Sequence, residues 1–388
     1  MQVADFTADR PGRLVRAPGG YWAFVPNPLP PALELSWELA GRLSDADRAV
    51  AELAGVARNL PNAHLLIRPF MRREAVLSSR IEGTRASIAD LVLFEAHAEP
   101  PPELAPPSDV LEVHNYALAL AYGLKRLGDL PLSLRLVREI HERLMRGARG
   151  EHLTPGEFRR SQNWIGPAGC TIDEATFVPA PMPEMHEALD ALEKSLHSKS
   201  ALPPLVRLAL VHYQFEAIHP FLDGNGRVGR LLISLLLCEE GVLPQPLLYL
   251  SAYFEKRRPR YYDLLLDVSR RGTWSDWVGF FLEGVTDQSR DALWRIGKVL
   301  DLWHAYRQRF ETARSPALLL ALVDRLFENP AVTIPDAARR LKVTNRSARL
   351  IIDKLVAAGI LEEITGRERY KVFLSRGIMK TAEAVRPA

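Results

Sequence analysis

A mainly α fold follows from two features of the chain and is bounded by a third. Apolar residues recur at helical spacing over most of the 388 residues, as at Leu231, Leu232, Leu235 and Leu236. Stretches that alternate apolar with polar residues are scarce. A hydrophobic share of 47% over this length is enough for two or three domains, each with its own core. The two cysteines, Cys170 and Cys238, exclude a disulfide framework and a cysteine-rich zinc site, and read as packed thiols. Met1–Phe6 lacks the basic-then-apolar pattern of a signal peptide. The longest apolar run, Leu231–Cys238, is far short of the roughly 20 residues a membrane span needs. The expectation is a cytoplasmic protein without a membrane partner.

The N-terminal region, 1–107, is expected to be helical and to end in the proline-stiffened linker Pro100–Ser108. Within it, Ser78 and Glu82 stand four apart on one helix face, and Gly83 is suited to end that helix. A core domain follows over 108–285. One of its helices runs from about Leu205 to Ile218 and stops at His219-Pro220, because proline disfavours helical backbone at the preceding residue. A second starts near Gly226 or Arg227 and ends before Gly241.

The segment between them, His219 to Arg230, reads H-P-F-L-D-G-N-G-R-V-G-R. Singly, a histidine after a helix, an aspartate before glycine or arginines three apart are ordinary. Together they form nine specified positions, whose chance match in one chain is on the order of one in a billion. Gly224, Asn225 and Gly226 bring backbone N–H groups to a helix start, where free donors and the helix dipole favour phosphate. Arg227 and Arg230 share a face and suit a polyphosphate. Asp223 is a hard oxygen ligand for Mg²⁺ bridging phosphates, and His219 has the ordinary pKa of a general base near neutrality.

A helical linker, 286–314, carries Trp294, Ile296 and Trp303 for packing on the core or on another subunit. The unit 315–375 reads as a winged helix. Ser315-Pro316 opens one helix, Thr333–Leu341 forms a second, and Thr344 caps a third over Asn345–Ala358. Ile360–Thr365 and Tyr370–Leu374 make a hairpin with Arg367 and Arg369 at its wing. Arg346 and Arg349 lie on the polar side of the third helix, the element that enters the major groove in helix-turn-helix proteins. Ten basic against seven acidic residues give this unit the whole chain's formal excess of +3. That balance suits duplex DNA and a protein interface equally. Residues 376–388 read as a tail.

The His219–Arg230 segment resembles the signature of the Fic family, enzymes that transfer nucleotide monophosphates onto proteins. The resemblance implies a helical Fic core with a small β-hairpin flap, flanked by the N-terminal helical region and the winged helix. It implies that His219 is the base activating a Ser, Thr or Tyr hydroxyl, on a target protein or on the chain itself. Asp223 holds Mg²⁺, and Gly224, Asn225, Gly226, Arg227, Val228, Gly229 and Arg230 receive the phosphates of ATP. Gly226, where a kinase-like branch carries lysine, implies nucleotidyl rather than phosphoryl transfer. Leu77–Thr84 resembles the family's inhibitory motif, which implies that Glu82, with Ser78, occupies Arg230 and autoinhibits the enzyme. Phe158–Gly166 with Thr176–Pro181 is similar to the flap, with Ala180 where relatives have a second proline. Leu250–Tyr262 is similar to the adenine-side region, with Arg257-Arg258 where relatives often have Asn-Arg; Tyr262, or else Tyr253, is the adenine contact. The family implies a homodimer. AMP removal, transfer of another nucleotide and an ATP-sensing DNA regulator remain the alternatives.

Overall fold

The computed structural model describes residues 1–7, 11–60, 64–96, 107–310, 316–366 and 370–387. It opens with an antiparallel hairpin, β1 (Gly12–Arg16) and β2 (Trp22–Pro26), in which Leu14 faces Phe24 across the ladder. Helices α1 (Trp37–Arg58), α2 (His64–Ile81) and α3 (Ile88–Ala96) complete the N-terminal region. The core consists of α4 (Ser108–Arg126), α5 (Leu134–Met145), α6 (Met182–His197), α7 (Pro204–Ile218), α8 (Asn225–Glu239), α9 (Ser251–Lys256) and α10 (Arg258–Arg271). A 35-residue helix, α11 (Trp274–Gln308), leads to α12 (Pro316–Glu328), β3 (Ala331–Thr333), α13 (Ile334–Leu341), α14 (Asn345–Ala357), β4 (Glu362–Glu363), β5 (Val372–Leu374) and α15 (Arg376–Glu383). The fold is mostly helical, with small antiparallel sheets.

Four of the helices start where a side chain satisfies a free N–H group. Ser36, Ser133, Thr333 and Thr344 each accept a hydrogen bond from the backbone N–H three residues on. Helix α7 is apolar on nearly every face and forms the centre of the core, with the Trp277 indole donating to the Ala209 carbonyl at 2.9 Å. Helix α8 lies against it, with Val228, Leu231, Leu235 and Leu236 buried.

Several boundaries differ from the sequence reading. Helix α2 stops at Ile81, so Glu82 sits in the turn beyond it, where Gly83 takes a φ of +101°. Helix α8 starts at Asn225, behind Gly224 at a φ of +79°. Helix α11 runs unbroken through 285 and 286, because Phe281, Val285, Ala292, Ile296 and Val299 keep one continuous buried stripe. The flap forms one antiparallel bridge, Ile165 to Phe177, rather than a full hairpin; Pro167, Pro179 and Pro181 lack the N–H groups a longer ladder needs. Its second strand leans on the N-terminal hairpin, where Phe24 N–H donates to the Val178 carbonyl at 2.9 Å. The wing strands are shorter than expected, and β5 pairs with both β4 and an unforeseen β3. The tail contains α15, anchored to α11 by Arg295 donating to the Ala382 carbonyl and by the Arg386–Asp287 pair. The linker prolines at 100–106, Ser315, Arg367 and Arg369 lie outside the described residues.

The winged unit packs on α2 and α3. Buried Arg72 of α2 donates to the Glu95 carboxylate at 2.7 Å and to the carbonyl of Glu328 at the end of α12. Beside it, Val92 and Ala96 of α3 share an apolar cluster with Ala331, Val372 and Met379. Trp294 is half-buried on α11, and Trp303 turns toward the winged unit, its indole donating to Asp324 at 2.7 Å.

Candidate active site

The α7–α8 loop is pinned residue by residue. His219 ends α7 in the left-handed region at a φ of +50°, a conformation a non-glycine side chain holds only under constraint. Arg159 supplies it, donating from Nε to the His219 carbonyl and from its backbone N–H to that of Pro220. Asn163 bonds the carbonyls of both His219 and Phe221. Asn225 closes the loop by pairing both N–H and C=O of Phe221, at 2.9 and 2.8 Å. The Asn225 side chain is therefore committed to loop shape, and only its backbone is available at the helix start.

The His219 ring lines a cavity of about 580 Å³, together with Glu82, Trp164, Ile165, Gly226, Arg230, Tyr261 and Tyr262 among others. Its Nδ1 faces the Glu216 carbonyl at 3.3 Å, and a carbonyl only accepts. The neutral ring thus carries its hydrogen on Nδ1 and its lone pair on Nε2. Burial, reinforced by the Arg159 charge, lowers the His219 pKa from 6.5 to about 4.

The two arginines of α8 are held differently. Arg227 turns under the loop, donating to Glu112 at 3.0 Å and lying 3.6 Å from Asp223; the pair is almost wholly covered, and Arg227 Nε has no partner. Glu112→Ala would strand this guanidinium, so we expect a loss of about 3–5 kcal/mol in a denaturant titration, part of it restored in Glu112→Gln. An unchanged midpoint would show the pair to be dispensable. Arg230 is held entirely by the N-terminal region. Its Nε donates to Ser78 Oγ at 2.9 Å, and its Nη2 to the Ser78 carbonyl at 3.0 Å and to Glu82 Oε1 at 2.6 Å. Among the described residues its Nη1 has no hydrogen-bond partner. Burial raises the Glu82 carboxyl, but the charge and hydrogen bond of Arg230 outweigh it and leave the pKa below its ordinary value.

The three glycines of the motif serve separate ends. Gly224 has a positive φ and lies over His141 and Met145; a Cβ there would stand 3.0 Å from the Met145 sulfur. A Cβ on Gly226 would strike the Glu82 carboxylate, and one on Gly229 the Glu216 carboxylate. Val228 is wholly buried in the core, so Gly226 and Arg230 are the α8 residues that reach the cavity. Tyr262 is 40% exposed at the cavity wall, whereas Tyr253 is buried against Arg257 and Phe280. Of the two adenine-side candidates, Tyr262 lines the cavity and Tyr253 does not.

Four further residues belong to the site. Arg159 and Asn163 hold the loop, as described. Glu216 lines the cavity with one carboxylate oxygen buried and unpartnered; burial, with Glu82 nearby, raises its pKa to about 7. His141 lies flat on Phe221, ring centres 3.7 Å apart, and bonds the Asp223 carbonyl. The spacing of the motif gives no signal for any of them, because they reach the loop from other elements or, like Glu216, precede it.

A helical core that brings a helix N-terminus, Arg230 and His219 to one cavity, followed by a winged helix, is an arrangement suited to handling a nucleotide. Residues 131–237 match the Fic/DOC family model, 40–125 the Fic/DOC family N-terminal model, and 319–374 an HTH DNA binding domain model. The chain belongs to the Fic/DOC family. It is 30% identical over 201 residues to the protein adenylyltransferase Fic of Aedes aegypti, covering 49% of this chain and 36% of that one. The Drosophila virilis protein of the same name is 31% identical over 166 residues, 40% of this chain and 30% of its own. The chain thus spans about a third of the length of these curated relatives. A Fic family protein from Desulfovibrio desulfuricans G20 shares the fold over 90% of this chain and 99% of its own, with a TM-score of 0.56 at 19% identity. Among the described residues, no helix is long and apolar enough to cross a membrane.

Proposed function

We propose that the protein is an adenylyltransferase that moves AMP from ATP to a hydroxyl of a protein and is restrained by Glu82. The observation that carries this reading is Arg230, a buried cation whose hydrogen bonds all run to Ser78 and Glu82 while its Nη1 stays unpartnered beside Gly226. A guanidinium at a helix start is suited to a terminal phosphate, and a carboxylate on it competes with that phosphate.

In the reaction, His219 Nε2 takes the proton of the target hydroxyl as its oxygen attacks the α-phosphorus. The bond to the bridging oxygen breaks, and pyrophosphate leaves with that electron pair. Gly224 and Gly226 let the backbone approach the phosphates, and Tyr262 stands where a base can stack. Asp223 is the one acidic side chain we assign to a metal. Its carboxylate is 39% exposed, with one oxygen on the Gly224 N–H and near Arg227, and the other facing Gly150. Among the described residues there is no cluster of three metal-ligating side chains. One carboxylate fits Mg²⁺ carried mainly by substrate phosphates and water, and a bound ion would neutralise charge on the triphosphate. Trp164 and Ile165 are exposed on the flap and offer a surface for a target segment.

Incubation with ATP labelled at the α-phosphate tests the reading: protein-bound label is expected from that ATP and none from γ-labelled ATP. Label from the γ position alone would replace it with phosphoryl transfer. Because His219 is neutral from about pH 5 upward, kcat/KM is expected to hold through neutrality and to fall only as pH approaches 4. A limb centred near 6.5 in the pH profile would contradict the buried-base assignment.

The winged unit supports a second interaction. Arg346, Arg349 and Lys354 are exposed on α14, which is the face a helix-turn-helix presents to the major groove, and duplex DNA is its proposed partner.

A further inference from the structure

His141 lies on α5, outside the signature segment, and is 1% exposed. Its Nδ1 accepts the Gly156 N–H at 2.9 Å, and an N–H group can only donate. The ring hydrogen is therefore on Nε2, which donates to the Asp223 carbonyl at 3.0 Å. The ring also supports Phe221 from below and passes within van der Waals reach of Gly224. The carbonyls of His219, Pro220 and Phe221 are taken by Arg159, Asn163 and Asn225. The carbonyl of Asp223 is taken by His141.

Resting on the adenylyl-transfer reading, we propose that His141 is a positioning residue that fixes the Asp223 peptide and so aims the Asp223 carboxylate at the metal carried by the nucleotide. Its effect is transmitted through one hydrogen bond, so the two sides of the ring are separable. His141→Asn places an amide oxygen where Nδ1 accepts from Gly156 and withdraws the donor from Asp223. His141→Gln reaches Asp223 with an amide N–H and gives up Gly156.

The test uses the full chain carrying Glu82→Gly, with Mn²⁺ as the metal probe and a non-hydrolysable ATP analogue, and reads bound Mn²⁺ by electron paramagnetic resonance. In the His141→Asn protein the Mn²⁺ dissociation constant in the nucleotide complex is expected to rise about tenfold, the scale of a lost outer-shell contact. In His141→Gln it is expected to stay within about threefold of the parent. Nucleotide affinity without metal and the melting temperature of the Asn variant serve as controls for general damage. Parental Mn²⁺ affinity in the Asn protein overturns the proposal. So does an equal loss in both variants, or a loss matched by weaker metal-free nucleotide binding, since either reports scaffold damage. Failure of the Glu82→Gly parent to transfer label from α-labelled ATP, with the Mn²⁺ difference intact, would instead count against the transferase reading.

Discussion

Glu82→Gly is expected to raise incorporation of α-phosphate label into protein by roughly 10- to 100-fold over the wild-type chain. The expectation follows from the 2.6 Å contact between Glu82 Oε1 and Arg230 Nη2, since a charge-assisted hydrogen bond contributes about 1.5–3 kcal/mol. Removal frees one of the two Nη2 hydrogens, while Ser78 keeps Nε and the other Nη2 hydrogen in place and the guanidinium stays oriented. It also clears the space beside Gly226, where the carboxylate now sits within reach of any added Cβ. Glu82→Gln, which keeps the volume and loses the charge, should fall between the two. Equal labelling in wild type and Glu82→Gly, alone and with cell lysate, would remove the inhibitory role. Glu82-dependent loss of AMP from a modified target would point to the removal reaction instead.

His219→Ala is expected to cut transfer by roughly 100- to 10,000-fold in the Glu82→Gly background, the usual range for a general base. Binding of the ATP analogue should change little, because the loop is held through the His219 backbone carbonyl by Arg159 and Asn163, and alanine retains that carbonyl. The separation of rate from affinity is the informative part. A variant that transfers AMP at the parental rate would move the base elsewhere, and Glu216, with a pKa raised to about 7 on the same cavity wall, would be the next group to replace. A joint loss of rate and nucleotide binding would mean that His219 shapes the loop rather than accepting the proton.

The helical class and the order of the major elements were legible in the sequence because periodicity, proline and glycine act locally. His219-Pro220 ended one helix where expected, and Thr344 capped another. Local rules misjudged the places where tertiary packing decides. The β1–β2 hairpin has little alternation, and Ala23, Phe24 and Val25 are all buried in β2: Phe24 with Phe6 and Phe177, Ala23 with Ala175 and Val178, and Val25 in the main core. The domain boundary drawn after 285 falls inside α11, which buries one stripe along its whole length. In the site, residue types within the signature were readable as chemistry. Their partners were not, because Glu112, His141, Arg159 and Asn163 come from other parts of the chain. Arg227 illustrates the limit. Its spacing to Arg230 places both on one helical face, and only the fold tells that Glu112 draws one of them beneath the loop while Ser78 and Glu82 hold the other at the cavity.

Arg72 sits ten residues before Glu82 on the same chain segment and reaches Glu328 of the winged unit. The helix that carries Ser78 and leads into Glu82 is therefore a shared wall between two rooms. A protein trimmed to its catalytic half would lose the cover over Arg72, Val92 and Ala96, and with it part of the support of the helix that leads into Glu82. Exchange of the C-terminal unit for another would have to recreate that cover. The part of this chain that reads as a DNA module is, by its packing, also part of the scaffold behind the helix whose Ser78 holds Arg230.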